Sequence, residues 1–310
     1  CALPISSLIS GSDLALLYDS QVSLDRPRAE RDAAVSRHYV ACSTSETLAA
    51  LACGALVLWS VDAVLWVQAA VGLVPAVLAL FLTEPPAQRL TTGSHAENFR
   101  GIARLLFLGC PVLRLTFLAL CLWSLTTFFA VWLLQKAWAV DGVPLAGFGV
   151  LWAAYAALST VSGHYAAALE RRLGVCTYLL AIGVMPALGY ALMATGGAVA
   201  GGIAGVLFFV ARGAGMVCLR SAMNGRIDAV HRATVNSLAQ FGFRGGFVIL
   251  GPLVGASVDG LGLAATLWML VAFSVAVTLF VLVPLVAAVR EQVVAAGCEQ
   301  ADGAVEVAAG

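Results

Sequence analysis

Charge is scarce in this sequence: 17 acidic and 17 basic side chains make up 11% of 310 residues, and they cancel to a net charge of zero. So little polarity cannot coat a water-soluble globule of this size. The rest of the composition, 61% hydrophobic with a mean hydropathy of +0.95, excludes water as the main solvent. Zero net charge leaves no global field toward an acidic partner, and no nucleic acid is expected. Four dispersed histidines give no His-Glu-x-x-His, and eight scattered cysteines form no Cys-x-x-Cys pair or Cys/His cluster, so neither metal nor cofactor is expected. A glycine-rich phosphate loop and a Gly-x-Ser-x-Gly elbow are also missing, which leaves no sign of an enzyme.

What the chain has is long apolar runs separated by short charged punctuation. About 20 residues are needed to cross roughly 30 Å of hydrocarbon at 1.5 Å per residue. On that scale nine spans are predicted, near 1–18, 39–60, 63–83, 112–135, 144–168, 174–195, 198–220, 234–257 and 263–289. The fold class is therefore an all-α, polytopic transmembrane bundle whose first partner is the lipid bilayer. The connection 84–111 alone is long; it carries Pro85-Pro86 and then an amphipathic stretch, Phe99 to Leu108, suited to a membrane interface.

The arginines set the orientation. Arg26, Arg28, Arg31 and Arg37 mark the first loop; Arg89, Arg100, Arg104 and Arg114 the long one; Arg171 and Arg172 another; Arg220, Arg226 and Arg232 the next; Arg290 the tail. These loops alternate with ones holding only Lys136, so fourteen of seventeen basic residues fall on one side, which the positive-inside rule makes cytoplasmic. The C-terminus is expected there, with a disordered tail 290–310. An odd number of spans, an outside start and no initiating methionine read as a piece of something longer. Cys1 as a lipidated terminus is the alternative, without a processing signal to support it.

Four stretches resemble the major facilitator superfamily of transporters, in its bacterial form. Ser10 to Ser20 (SGSDLALLYDS) resembles the end of the fourth span, and Gly163 to Gly174 (GHYAAALERRLG) a degenerate loop motif between spans eight and nine. Arg220 to Ser237 (RSAMNGRIDAVHRATVNS) resembles the loop between spans ten and eleven, and Gly251-Pro252 with Gly255, Asp259 and Gly262 the turn from eleven into twelve. The resemblance implies that 1–83 is the remainder of an N-terminal bundle (spans four to six), 84–111 the central cytoplasmic linker and 112–289 the C-terminal six-helix bundle. Spans one to three would then be missing. It also implies secondary active transport of a small-molecule substrate by alternating access in the inner (plasma) membrane, with proton-coupled efflux expected. A non-transporting sensor or scaffold of the same fold is the alternative. Weak internal repetition agrees: Gly54-Ala55 before an Asp62 turn is echoed by Gly255-Ala256 before an Asp259 turn.

Ionisable residues inside lipid are costly and hence functional suspects. Asp13, Glu46, Arg212 and Arg244 stand out, all roughly 9 to 18 Å deep on the cytoplasmic side at 1.5 Å per residue. Under the resemblance the two acids lie in one half and the two bases in the other, a candidate gate held by charge pairs and opened by protons or by another anion. The resemblance further implies that Tyr18, Asp19, Glu170, Arg171, Arg172, Asn224 and Arg232 are cytoplasmic latch residues, with solvated interfacial charge the alternative for each, and that Gly251, Pro252 and Gly255 form a helix kink. His164 is titratable near neutrality or structural. Trp152 and Tyr155 line a cavity or pack. Gly201 and Gly205, followed by Gly213 and Gly215, are predicted to form a small-residue packing face.

Overall fold

A computed structural model describes residues 16, 17, 20–81 and 95–292. The predicted first span, with Asp13 and Tyr18, and also Asp19, lies outside those residues except at its end. Among the described residues there is no strand, and eight helices are long and apolar enough to cross a membrane: Ala33–Trp59, Val61–Leu78, Pro111–Val140, Leu145–Leu173, Val175–Thr195, Ala198–Asn224, His231–Leu261 and Leu263–Gln292. They are the second to ninth predicted spans, several lengthened by a turn where polar ends continue the helix past the apolar run.

In chain order the helices are α1 (Arg28–Trp59), α2 (Val61–Gly72), α3 (Val74–Ala79), α4 (His95–Leu108), α5 (Pro111–Leu118), α6 (Ser124–Val140), α7 (Leu145–Leu173), α8 (Val175–Thr195), α9 (Ala198–Asn224), α10 (Ala229–Leu261) and α11 (Leu263–Val277). A π-turn, Ala119–Trp123, joins α5 to α6, and a second, Thr278–Leu282, follows α11 just before Pro284. Pro75 sits at the start of α3 and separates it from α2, whereas Pro186 and Pro252 lie inside unbroken helices. The amphipathic stretch predicted at Phe99 to Leu108 is helical within α4.

Junctions are short because single residues turn the chain. Ser60, in extended conformation, ends α1, and its hydroxyl accepts from the Asp62 N–H at 3.2 Å to cap α2. Gly174 and Gly262 each occupy a one-residue link at φ +77° and +84°, backbone that a Cβ would strain.

The main core runs from Ile102 and Leu106 of α4 to Val289. Water does not drive helix association in lipid, so small residues and interhelical hydrogen bonds hold the helices together. Trp123, 1% exposed, donates its indole N–H to Ile182 O at 3.2 Å and fills the space left by Gly215. Tyr178 bonds Ala214 O at 2.9 Å, Tyr190 bonds Thr126 O, and Thr278 bonds Gly183 O at 2.9 Å. Each such bond contributes about 0.6 kcal/mol on average in a membrane. The predicted glycine face is only partly right. Gly205 receives the Tyr155 ring and Gly213 the α7 backbone at Ser159, but nothing lies within 4 Å of a Cβ at Gly201.

Candidate functional site

Helix α1 joins the bundle mainly through α7, along an antiparallel polar seam. From one end to the other, Ser36 donates to Gly163 O at 3.4 Å and Tyr39 Oη lies 2.8 Å from Ser159 Oγ. Ser43 then donates to Ala156 O at 3.1 Å, and Trp152 Nε1 donates to Glu46 Oε1 at 3.0 Å. Beyond Glu46 the backbones nearly touch: a Cβ at Gly149 would stand 2.7 Å from Ala50 O and 2.9 Å from Gly54 Cα. Glu46 lies about 20 Å along α1 from Ala33 at 1.5 Å per residue. Two residues singled out separately in the sequence, Glu46 and Trp152, are thus one hydrogen-bonded pair.

The second feature is a cavity of about 250 Å³ between α6, α9 and α10, lined by Ser124, Thr127, Phe128, Arg212, Met216, Arg220, Gln240, Phe243, Arg244 and Phe247. Arg212 and Arg244, both half-buried, face the same space. The Arg212 guanidinium carbon sits 5.8 Å from the centre of the Phe128 ring, within range of a cation–π contact. Phe128 in turn packs edge-on against Phe243 at 5.1 Å and Phe247 at 4.8 Å.

Two four-residue periods build this wall. On α9, Arg212, Met216, Arg220 and Asn224 fall on one stripe; on α10, Arg232, Asn236, Gln240 and Arg244 do, as i, i+4 spacing dictates. Where the stripes converge, Asn236 donates to Asn224 Oδ1 at 2.6 Å and to Arg232 O at 3.0 Å. Asn224 donates to Arg220 O at 2.9 Å, and buried Arg232 donates to Ile227 O at 3.0 Å. The latch candidates Asn224 and Arg232 are therefore brought together. Asn236, which sequence reasoning left unnamed, is the residue that joins them; the repeat of polar residues every fourth position was the available signal.

Elsewhere the candidates separate. Glu170 is half-buried and shares a second cavity, about 200 Å³, with Thr116, Cys218 and Arg226. Arg171 and Arg172 are exposed. His164 is exposed and packs edge-on against Tyr165 at 4.8 Å. Tyr155 donates to Gly202 O at 3.2 Å and stacks on Trp138. Gly251, Pro252 and Gly255 line an open, largely apolar cavity of about 550 Å³ between α6 and α10, whose lining also includes Lys136 and Asp259, an exposed ion pair at 3.7 Å.

A bundle with polar cavities between spanning helices suits movement of solutes, and comparison with protein families agrees: residues 26–246 match the Major Facilitator Superfamily. The chain belongs to that superfamily. Its members are membrane transporters, and the eight described spans make this one a multi-pass membrane protein. Neither the curated proteins nor the solved structures contain a match. The superfamily match covers the α1–α7 seam and the lining of the 250 Å³ cavity up to Arg244.

Proposed function

We propose that this superfamily member is a proton-coupled exporter of small amphipathic compounds, working by alternating access in the inner membrane with its C-terminus in the cytoplasm. Residues 1–83 and 112–289 are the two moving halves in this reading, and 84–111 links them. The observation that carries it is the α1–α7 seam, where contact rests on single hydrogen bonds, the Tyr39 ring seated against Gly163, and bare glycine backbone at Gly149 and Gly54. Such a surface lets two helices pivot without repacking a core.

Protons enter the account through Glu46 and Asp13. A charged Glu46 accepts strongly from Trp152; protonation removes the charge and weakens that bond, which favours an opened seam. Arg212 and Arg244 are the basic side of the gate, Tyr18, Asp19, Glu170, Arg171, Arg172, Asn224 and Arg232 its latch, and Gly251, Pro252 and Gly255 the hinge of α10. The test uses the full chain in liposomes with an entrapped pH dye. Adding benzenesulfonate or benzyltrimethylammonium across an imposed pH gradient is expected to move protons with at least one of them. No substrate-linked proton movement in either gradient direction would refute the coupling.

A further inference from the structure

We propose that the outward face of α4 is a docking surface for anionic phospholipid headgroups, held by the guanidinium groups of Arg100, Arg104 and Arg114 where the chain enters the bilayer. At about 100° per residue, Arg100 and Arg104 stand about 200° around α4 from Ile102 and Leu106. Those two are buried in the bundle core, so the arginine pair, exposed at both positions, lies on the side turned away from it. Phe107 and Leu108 flank the pair on the same outward side and are 49% and 79% exposed. A face that mixes cations with large apolar groups suits neither water nor hydrocarbon alone, and it fits the boundary between them.

Two contacts fix that face at membrane level. The Phe107 ring packs edge-on against Phe117 of α5, with ring centres 6.3 Å apart, and Phe117 lies about 9 Å along the spanning helix from Pro111 at 1.5 Å per residue. Arg114, half-buried in the first turn of the same span, donates from Nη1 to Phe107 O at 3.1 Å. That bond holds a cation at the C-terminal end of α4, where it complements the helix dipole, and one bond does not exhaust a fork of five N–H donors. The three basic groups are carried close together: Arg100 and Arg104 are about 6 Å apart along α4, and the Phe107 carbonyl follows about 4.5 Å further on. Arginine suits the task, because its planar fork holds phosphate oxygens two at a time. Residues 95–114 carry three arginines against one carboxylate, Glu97, so the segment is drawn to an anionic leaflet. A phospholipid meets both halves of the face at once, its phosphate on the arginines and its acyl chains over Phe107 and Leu108. Free phosphate would leave the apolar pair in water.

The test is native mass spectrometry of the full chain in detergent with phosphatidylglycerol, phosphatidylcholine of the same acyl chains, and glycerol 3-phosphate. Phosphatidylglycerol is expected to bind at least about tenfold tighter than phosphatidylcholine. A cation near an anionic surface is worth about fivefold in affinity. Arg100→Gln/Arg104→Gln should therefore weaken phosphatidylglycerol about 25-fold, and Arg100→Lys/Arg104→Lys less. Arg171→Gln/Arg172→Gln removes the same charge from the exposed end of α7 and should cost at least about fivefold less than the α4 pair. Leu108→Asn should weaken phosphatidylglycerol and leave glycerol 3-phosphate unchanged. Equal binding of phosphatidylglycerol and phosphatidylcholine by the unmutated chain would overturn the surface whether or not the variants fold. So would equal losses from the two arginine pairs, which would mean diffuse charge, or glycerol 3-phosphate binding as tight as phosphatidylglycerol, which would mean a site for soluble phosphate. Headgroup binding depends on where α4 meets the bilayer and not on transport, so a chain that moves no protons still tests it, and loss of lipid selectivity leaves proton-coupled export standing.

Discussion

Gly149→Ala tests the seam with one carbon atom. The added Cβ would stand 2.7 Å from Ala50 O and 2.9 Å from Gly54 Cα, and both neighbours are backbone, so no side chain can rotate away. Restoring an ordinary contact of about 3.5 Å requires α1 and α7 to separate by roughly 0.8 Å at this crossing. A gap of that size forfeits about a quarter to a half of each local dispersion contact. It also stretches the bonds on either side, Trp152 to Glu46 at 3.0 Å and Ser43 to Ala156 at 3.1 Å. Overpacking of this kind costs about 1–3 kcal/mol. The assay is thermal unfolding in detergent together with the oxidative crosslinking rate of a Ser43→Cys/Ala156→Cys pair. Gly149→Ala should unfold at lower temperature and crosslink more slowly. Gly201→Ala, where a Cβ meets nothing within 4 Å, should be neutral or more stable by up to about 1 kcal/mol. If Gly149→Ala matches its parent in both assays, α1 and α7 do not approach through this glycine.

Three further outcomes are expected. Asn236→Ala removes the donor that joins Asn224 to the Arg232 carbonyl and leaves buried polar groups unmatched, so it should destabilise by about 1–3 kcal/mol in thermal or denaturant unfolding, more than Ala substitution of exposed Asp228. Burial pushes the Cys110 thiol up, but the Leu113 and Val112 backbone N–H groups, Gln292 and the Arg226 charge outweigh it and hold the thiol below its ordinary value. More thiolate is then present at any pH below that value, so alkylation of Cys110 should reach half its maximal rate at lower pH than a free thiol, and Gln292→Leu should move the midpoint up. For the gate, Glu46 pairs with Trp152 in this structure and, as proposed, with Arg244 in the cytoplasm-closed state: Glu46→Arg or Arg244→Glu alone should abolish flux, the double swap should restore part of it, and Asp13→Asn should keep exchange while losing uphill transport.

The spans were legible because lipid imposes a length and a composition on each helix separately, so apolar runs such as 263–289 declare themselves without knowledge of their neighbours. The seam was not. Ser36, Tyr39 and Ser43 look like ordinary polar punctuation in an apolar helix, and only the pairing of α1 with α7, more than 100 residues away, gives them partners. Glycine roles were legible only in part for the same reason: a small-xxx-small spacing marks Gly201 and Gly205 alike, yet of these two only Gly205 meets a ring. The arginine cavity lay between. Arg212 and Arg244 were conspicuous as charges in apolar runs, but their sharing of one space with Arg220 and Gln240 follows from two helical stripes facing each other, which one-dimensional spacing suggests but cannot orient.

Alternating access is the central claim, and it requires the two ends of the bundle to move in opposite senses. Spin-label pairs at Arg37 with Arg226, and at Asp62 with Asp259, all exposed, report the arginine-rich end and the far end by pulsed electron paramagnetic resonance. On acidification or on adding benzenesulfonate, the account expects one distance distribution to lengthen as the other shortens. Two distributions that stay fixed, or that shift in the same direction, would contradict it.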